Sequence, residues 1–431
     1  MGLGLRALRN VASLELVDRA GLRAPLERLV HSGSKNGFRT AVAAGRAFKA
    51  TQQLSRPARQ STTGSRQLFD LTPTDEQQML QEAFGDFASA RLRPAAQDAD
   101  GAGAAPDELL AQSAELGAAM LGVPEELGGA TGERSAVTTV LVAEKLAHGD
   151  MGLAAAILAP GGVATAISLW GDTAQQSRYV EPFTGDDVPA AALAVMEPRP
   201  LFDPLELQTT AVRRGDAWVL NGVKSLVPRA ARAELLVVAA RTESGAPGLF
   251  IVEGGTAGLL SEPEPAMGVR AAATGRLILE DVEVSAGALL GGGDPDVYRE
   301  CVARARLAWC ALSVGTGQAM LDYVIPYVNE RRAFGEPVSH RQAVAFTVSD
   351  LAIEVDGMRL ATLRAAALAD AGKPFSREAG VARHLCSERG MAVGSDGVQM
   401  LGGHGYVKEY PVERWYRDLR SAGVIEGALL V

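Results

Sequence analysis

The sequence changes its hydrophobic period near residue 191, and that change limits what the chain can fold into. From there to about residue 285 it consists of short Val/Leu/Ile-rich runs, among them "AALAVMEP", "ELLVVAAR", "GLFIVEGG" and "TGRLILEDVEVS", each bounded by Gly, Pro or Asp. Such runs read as strands joined by turns, about five or six of them. No helical stretch separates them, so the sheet is expected to be antiparallel or barrel-like.

Both flanks carry the helical period instead. On the N-terminal side, Thr74 followed by acids is an N-cap signature, and Met79, Leu80, Phe84 and Phe87 recur at helix spacing. A second run starts at Asp107 and a third is "SAVTTVLVAEKLAHGD". The window 151–170 holds no charge, but Pro160-Gly161-Gly162 interrupts it and Asp150 and Asp172 flank it. It is therefore expected to form two short buried helices and not a membrane span. After "LLGGGDPD" a long helix is predicted to run to Gly335, followed by two more. Long, weakly charged helices of this kind often pack against another subunit.

The predicted fold is α+β and mostly α: an N-terminal helical domain (67–190), a middle β domain (191–293) and a C-terminal helical domain (294–431). Residues 1–66 precede them as a basic extension, with twelve Lys/Arg against Glu15, Asp18 and Glu27. The whole chain is nevertheless acidic at −9, which disfavours nucleic acid as a partner of the main body. The extension has helical patterning and is open to several readings: a partly disordered tail, peripheral membrane contact, partner docking or organellar targeting. Cys301, Cys310 and Cys386 show no framework spacing, which predicts reduced thiols and a cytoplasmic location. The five histidines are scattered and no metal site is expected. Glycine clusters at 313–317 and 401–405 follow no strand, so they do not read as a dinucleotide fingerprint.

Six strings in register decide the matter: "LGVPEELGG", "TTAVRRGDAWVLNGVK", "LILEDVEVS", "YVNERRAFGEPVSHRQA", "DGVQMLGGHGYVKEYPVERWYRD" and "VIEGA". Together they resemble the acyl-CoA dehydrogenase family of flavoenzymes over residues 71–428. The resemblance implies a C-terminal four-helix bundle, FAD as cofactor, an acyl-CoA substrate, assembly as a homo- or hetero-oligomer and an electron-transfer flavoprotein as electron acceptor.

It also implies site residues. Oxidising an acyl thioester to the enoyl form requires a base for the α-proton while a hydride leaves the β-carbon, and a carboxylate suits that task when burial raises its proton affinity. The family's base falls on Glu426 in "IEGA"; the alternative base position of some relatives is Ala305. Taken alone, a carboxylate so near the chain's end reads as solvated sooner than as catalytic. Arg306 matches an arginine at the substrate end of the long helix, though by itself it also reads as a surface residue. Arg331 and Phe334 match contacts to the adenine-diphosphate side of FAD in the adjacent protomer, where a guanidinium fork suits pyrophosphate. Gln399, Gly402 and Gly403 match the companion stretch, and Met196 and Glu197 the start of the flavin-facing loop.

That loop departs from the family pattern. It reads "MEPRPLFD", with Arg199, Pro200, Leu201 and Phe202 where small residues are usual. In "NGVKSLVP", Leu226 replaces an indole and Pro228 replaces a hydroxyl residue, removing both donors. Ala333 and Ala428 replace threonines. The chain also ends shortly after Glu426, which is therefore expected on a tail with little to pin it. Two alternatives to an autonomous dehydrogenase follow: a subunit that completes a partner's FAD site without turning over itself, or a scaffold or membrane-associated protein using the same fold.

Overall fold

The computed structural model describes residues 71–431 apart from 130–133 and 186. The basic extension 1–66, with the docking, membrane and targeting readings attached to it, lies outside the described residues.

Helix α1 (Asp75–Phe87) opens with the signature read from the sequence. Thr74 Oγ1 accepts from the Gln77 amide while Gln77 Oε1 accepts from the Thr74 amide, a reciprocal capping box. It continues through a wide turn (Ala88–Leu92) into α2 (Arg93–Ala102), and α3 (Asp107–Glu115) follows. Ser135 caps α4 (Ala136–Gly149), whose free amides at Ala136 and Val137 also donate to the Asp370 carboxylate. That carboxylate closes the start of α4 as a negative charge at a helix N-terminus should.

Met151–Trp170 is one helix, α5, and not the two short ones expected. Proline removes a single amide and clashes with one turn, a cost that burial on every side outweighs. Every residue from Met151 to Ile167 is buried. By length and composition α5 could cross a membrane, but 89% of its apolar window is buried within the protein. Pro160-Gly161-Gly162 serves packing: a Cβ on Gly162 would lie 3.0 Å from the Leu430 amide nitrogen. Helix α6 (Thr173–Tyr179) ends this part.

The sheet contains β1 (Ala191–Ala194), β2 (Thr210–Arg214), β3 (Ala217–Val227), β4 (Leu235–Thr242), β5 (Pro247–Glu253), β6 (Leu259–Pro263) and β7 (Gly275–Ser285). Its order is β1-β4-β2-β3-β7-β6, with β5 also on β4. It is predominantly antiparallel, as the lack of helices predicts, but β4 runs parallel to both β1 and β2. Strands make those crossovers without an α-helix: along the chain, antiparallel β3 lies between β2 and β4, and the β2–β3 pair lies between β1 and β4. The β3–β7 ladder slips between Lys224 and Val227, so Ser225 and Leu226 leave the ladder and bond elsewhere.

The long helix α7 (Pro295–Glu330) stops five residues before the expected Gly335. Strands β8 (Arg332–Ala333) and β9 (Glu336–Pro337) form a hairpin there, with Phe334 and Gly335 at φ 55° and 88°. Two consecutive left-handed residues make the tight turn that matches strand twist. Helices α8 (Gln342–Asp370) and α9 (Ser376–Leu401) pack against α7, and α10 (Val412–Leu419) and α11 (Ser421–Val424) complete the C-terminal part. One core lies among the helices and another inside the curled sheet; a third joins α5, β1, β4 and the start of α7 to Leu430.

Candidate active site

The segment after α11 is buried, against the expectation of a loosely held tail. Ile425, Ala428, Leu429, Leu430 and Val431 all lie in the interior. Large apolar side chains recover their transfer free energy only when covered, about 1.5–3 kcal/mol each, and four of them, Ile425, Leu429, Leu430 and Val431, fall in this short stretch. Main-chain bonds add register. Ala428 donates to Leu193 O on β1, and three side chains cap the carbonyls: Arg383 Nη1 to Ile425 O at 2.8 Å, Trp309 Nε1 to Gly427 O at 2.9 Å and Arg304 Nη1 to Val431 O at 3.0 Å. Gly427 sits at φ 75° with Val195 Cβ 2.6 Å from where its own Cβ would be, so no other residue fits this turn.

Glu426 projects from this pinned segment and is 8% exposed. It is ion-paired and not isolated. Arg306 on α7 donates to it through Nε, at 3.1 Å from each oxygen, and through Nη2 at 2.9 Å from Oε1. Arg383 on α9, absent from the sequence-based expectations, places Nη2 3.3 Å from Oε1. Oε1 therefore faces three nitrogen donors, whereas Oε2 accepts only the shared Arg306 Nε. Arg306 is the most exposed of the three side chains, at 29% against 11% for Arg383, and marks the side open to solvent. Burial holds the Arg383 guanidinium below its ordinary value, against the pull of Glu426. Ala305, the alternative base position, is fully buried beside them.

Around this centre Tyr298 is buried and donates to Pro204 O at 2.6 Å; burial raises its hydroxyl well above the ordinary value. Burial likewise pushes up the Cys301 thiol, and the Cys310 thiol is raised first by its bond to Cys386 and then by burial. None of these is poised as a nucleophile. A cavity of about 190 Å³ is lined by Asp107, Ser113, Ile157, Pro160, Val188 and Arg229; Glu426 is not in its wall.

The two halves of the FAD site implied by the sequence differ. Arg331, Phe334, Gln399, Gly402 and Gly403 are all exposed, and nothing lies within 4 Å of where a Cβ on either glycine would stand. Tyr327, one turn before Arg331, bonds both Leu401 O and His404 Nδ1, which ties the end of α7 to the 401–404 stretch. An open glycine pair, a free guanidinium and an aromatic ring at a turn tip fit the adenine-diphosphate end of a dinucleotide.

At the flavin-facing loop the polar groups are mostly spent internally. The Glu197 carboxylate accepts from the Gln208 and Thr209 amides and from Lys224, and Met196 O accepts from the Ser225 amide. Leu226, at φ 51°, gives its amide to Glu264, which also binds Ser225 and Arg276. Arg199 folds back over Phe202 and donates to Asp203 O and Glu206 O, leaving Leu201 99% exposed. Among the described residues here, the buried donors left without a partner are Arg199 Nε, Thr209 Oγ1 and Arg276 Nε. These three donors are buried, so what this end offers an isoalloxazine is the half-buried apolar surface of Leu226. The Glu197 side chain organises the loop and does not face outward.

Three family descriptions match the chain in sequence order: "Acyl-CoA dehydrogenase, N-terminal domain" at residues 74–186, "middle domain" at 192–282 and "C-terminal domain" at 296–429. A probable acyl-CoA dehydrogenase, YngJ of Bacillus subtilis, is 34% identical over 369 residues, which is 83% of this chain and 96% of the relative. The solved butyryl-CoA dehydrogenase of Megasphaera elsdenii superposes with TM-score 0.78 at 29% identity, covering 83% of this chain and 96% of that one. A structure described as the electron transferring flavoprotein of Acidaminococcus fermentans gives TM-score 0.76 at 31% identity, with 83% and 96% covered.

Proposed function

The chain belongs to the acyl-CoA dehydrogenase family of FAD-dependent oxidoreductases, and from that membership we propose that it dehydrogenates an acyl-CoA thioester with Glu426 taking the α-proton. The observation that carries this reading is the setting of Glu426: a buried carboxylate on a main chain fixed at both sides, with one oxygen saturated by donors and the other nearly free. A base held in one geometry contributes more than one that must find it. FAD, when bound, supplies the acceptor for the hydride that leaves the β-carbon. Arg331, Phe334, Gln399, Gly402 and Gly403 would hold its adenine-diphosphate end from an adjacent protomer, and Met196 and Glu197 would back the ring side.

The substrate approaches from the side of Arg306. For an α-proton to reach Oε2, Arg306 must release its bond to that oxygen, and its partial exposure gives it room to turn toward the thioester or a CoA phosphate. The alternative of a chain that only completes a partner's site is not favoured: a catalytically idle subunit has no need of a carboxylate anchored so firmly. An electron-transfer flavoprotein is our choice of acceptor. Phe346, Ile353 and Leu360, exposed at seven-residue spacing on α8, support assembly with a second related chain. We keep 67–190, 191–293 and 294–431 as domain limits; β1 beginning at Ala191 and α7 at Pro295 support them. A cytoplasmic location, with organellar targeting by residues 1–66 as the alternative, goes with this reading.

The test is the visible spectrum of the purified protein. Bound flavin that bleaches when an acyl-CoA is added supports the reading, and Glu426→Gln should abolish bleaching with the flavin still bound. Flavin that no acyl-CoA bleaches rules out the dehydrogenase; bleaching that survives Glu426→Gln rules out the base.

A further inference from the structure

Resting on the reading of Glu426 as the base, we propose that Arg383 is its positioning residue: from α9 it grips the carbonyl of Ile425 and flanks Oε1 of Glu426, so that Oε2 is the oxygen presented to the α-proton. Arg383 Nη1 donates to Ile425 O at 2.8 Å and Nη2 stands 3.3 Å from Glu426 Oε1. One planar fork thus spans a main-chain carbonyl and the next residue's carboxylate. The geometry suits a guanidinium, with its fixed pair of terminal nitrogens, and not an ammonium, which concentrates its charge at one point.

The two arginines divide the work. All of Arg306's hydrogen bonds go to the Glu426 carboxylate, it is partly exposed and it bonds both oxygens. It is the group that must yield on substrate binding. Arg383 is nearly enclosed and one of its two contacts is to main chain. It therefore stays when Arg306 turns away, and without it nothing on the α9 side would fix the rotation of the Glu426 side chain. Trp309 holds Gly427 O from α7, one residue beyond. The carboxylate is thus bracketed between two anchored carbonyls, at residues 425 and 427.

The proton-transfer half of the reaction isolates this role. An acyl-CoA with sulfur in place of the β-carbon, 3-thiabutyryl-CoA, has an acidic α-CH₂ and no β-hydride to lose. In D₂O the base takes a proton from Cα onto Oε2 and returns a deuteron, leaving the thioester otherwise unchanged. Mass spectrometry follows the exchange on the FAD-loaded protein at saturating probe, and calorimetry gives the probe's Kd. Arg383→Gln should slow exchange at least tenfold with Kd changed less than twofold, and Arg383→Lys should fall between it and the parent. An exchange rate in Arg383→Gln equal to or faster than the parent's overturns the inference, as does a loss confined to Kd. Should Arg383→Gln fail to fold, Arg383→Lys decides alone: a parental rate overturns it. A parent protein that binds the probe but exchanges nothing removes Glu426 as the base, a result distinct from either.

Discussion

Lys224 Nζ lies 3.0 Å from Glu197 Oε1 and donates also to Val195 O at 3.1 Å, with both charged side chains out of solvent. Burial pushes the lysine down to about 8 against the pull of Glu197. Burial works to raise the Glu197 carboxyl, yet Lys224 and the Gln208 and Thr209 amides hold it below the usual carboxylate value. The pair fastens the end of β1 to β3 and thereby sets the start of the flavin-facing loop. Removing either member strands a charge, so Glu197→Gln or Lys224→Met should cost about 3–5 kcal/mol, read as a lowered urea midpoint. The pH dependence has a definite sign. The unfolded lysine holds its proton more tightly, so from about pH 8 to about 10.4 stability should rise with pH. Lys224→Met should abolish that rise.

Asp418 gives the opposite slope in a lower window. Its Oδ1 accepts the Val269 amide at 2.6 Å, and burial first, then the charge of Asp150, raises it to about 8. Its folded form binds the proton more tightly, so its contribution is full below about pH 3.9 and is lost as pH climbs to about 8. Asp418→Asn keeps an acceptor for Val269 without that titration. The stability of the variant relative to the parent should therefore increase from pH 4 to pH 8 in thermal melts; a flat difference would count against the assignment.

The buried segment after Glu426 should behave as core. Leu429 has no exposed surface, and Leu429→Ala should cost about 2–5 kcal/mol. Trp309→Phe leaves Gly427 O buried without its donor, at about 1–3 kcal/mol. Chemical denaturation checks both. Losses below about 0.5 kcal/mol, the range of surface positions, would mean that the segment is not packed in solution.

The α8 stripe should govern assembly. Replacing Phe346 and Ile353 together with glutamate places charge at the centre of the exposed apolar face. Light scattering should then report a smaller particle than for the parent, with helical content unchanged. An unchanged mass would move the interface elsewhere.

Local signals in the sequence held where the cause was local. The Thr74 capping box needs only residues three apart, and the strand runs from residue 191 onward needed only their own Val/Leu/Ile content and the turn residues that bound them. The misreadings share a different origin. Pro160 has a helix-breaking cost that is local, but the burial that offsets it comes from segments far away in sequence, among them Leu429 and Leu430. The expectation of a loose tail used position in the chain and passed over the apolar run Leu429-Leu430-Val431, which was the available clue. The parallel pairing of β1 with β4 is a matter of topology that no single run encodes. Arg383 carried no motif: an arginine on a helix shows its function only once Ile425 and Glu426 are brought to it.

Helix α5 has no polar side, and that alters how it responds to change. An ordinary amphipathic helix offers half its circumference to substitution at little cost, so tolerance along its sequence rises and falls with each turn. From Met151 to Ile167 every position of α5 meets protein. Exhaustive single-residue replacement should therefore produce an unbroken intolerant band there, beside the periodic stripes of α1 and α8. Along that band, added volume and not polarity alone would decide which alleles survive.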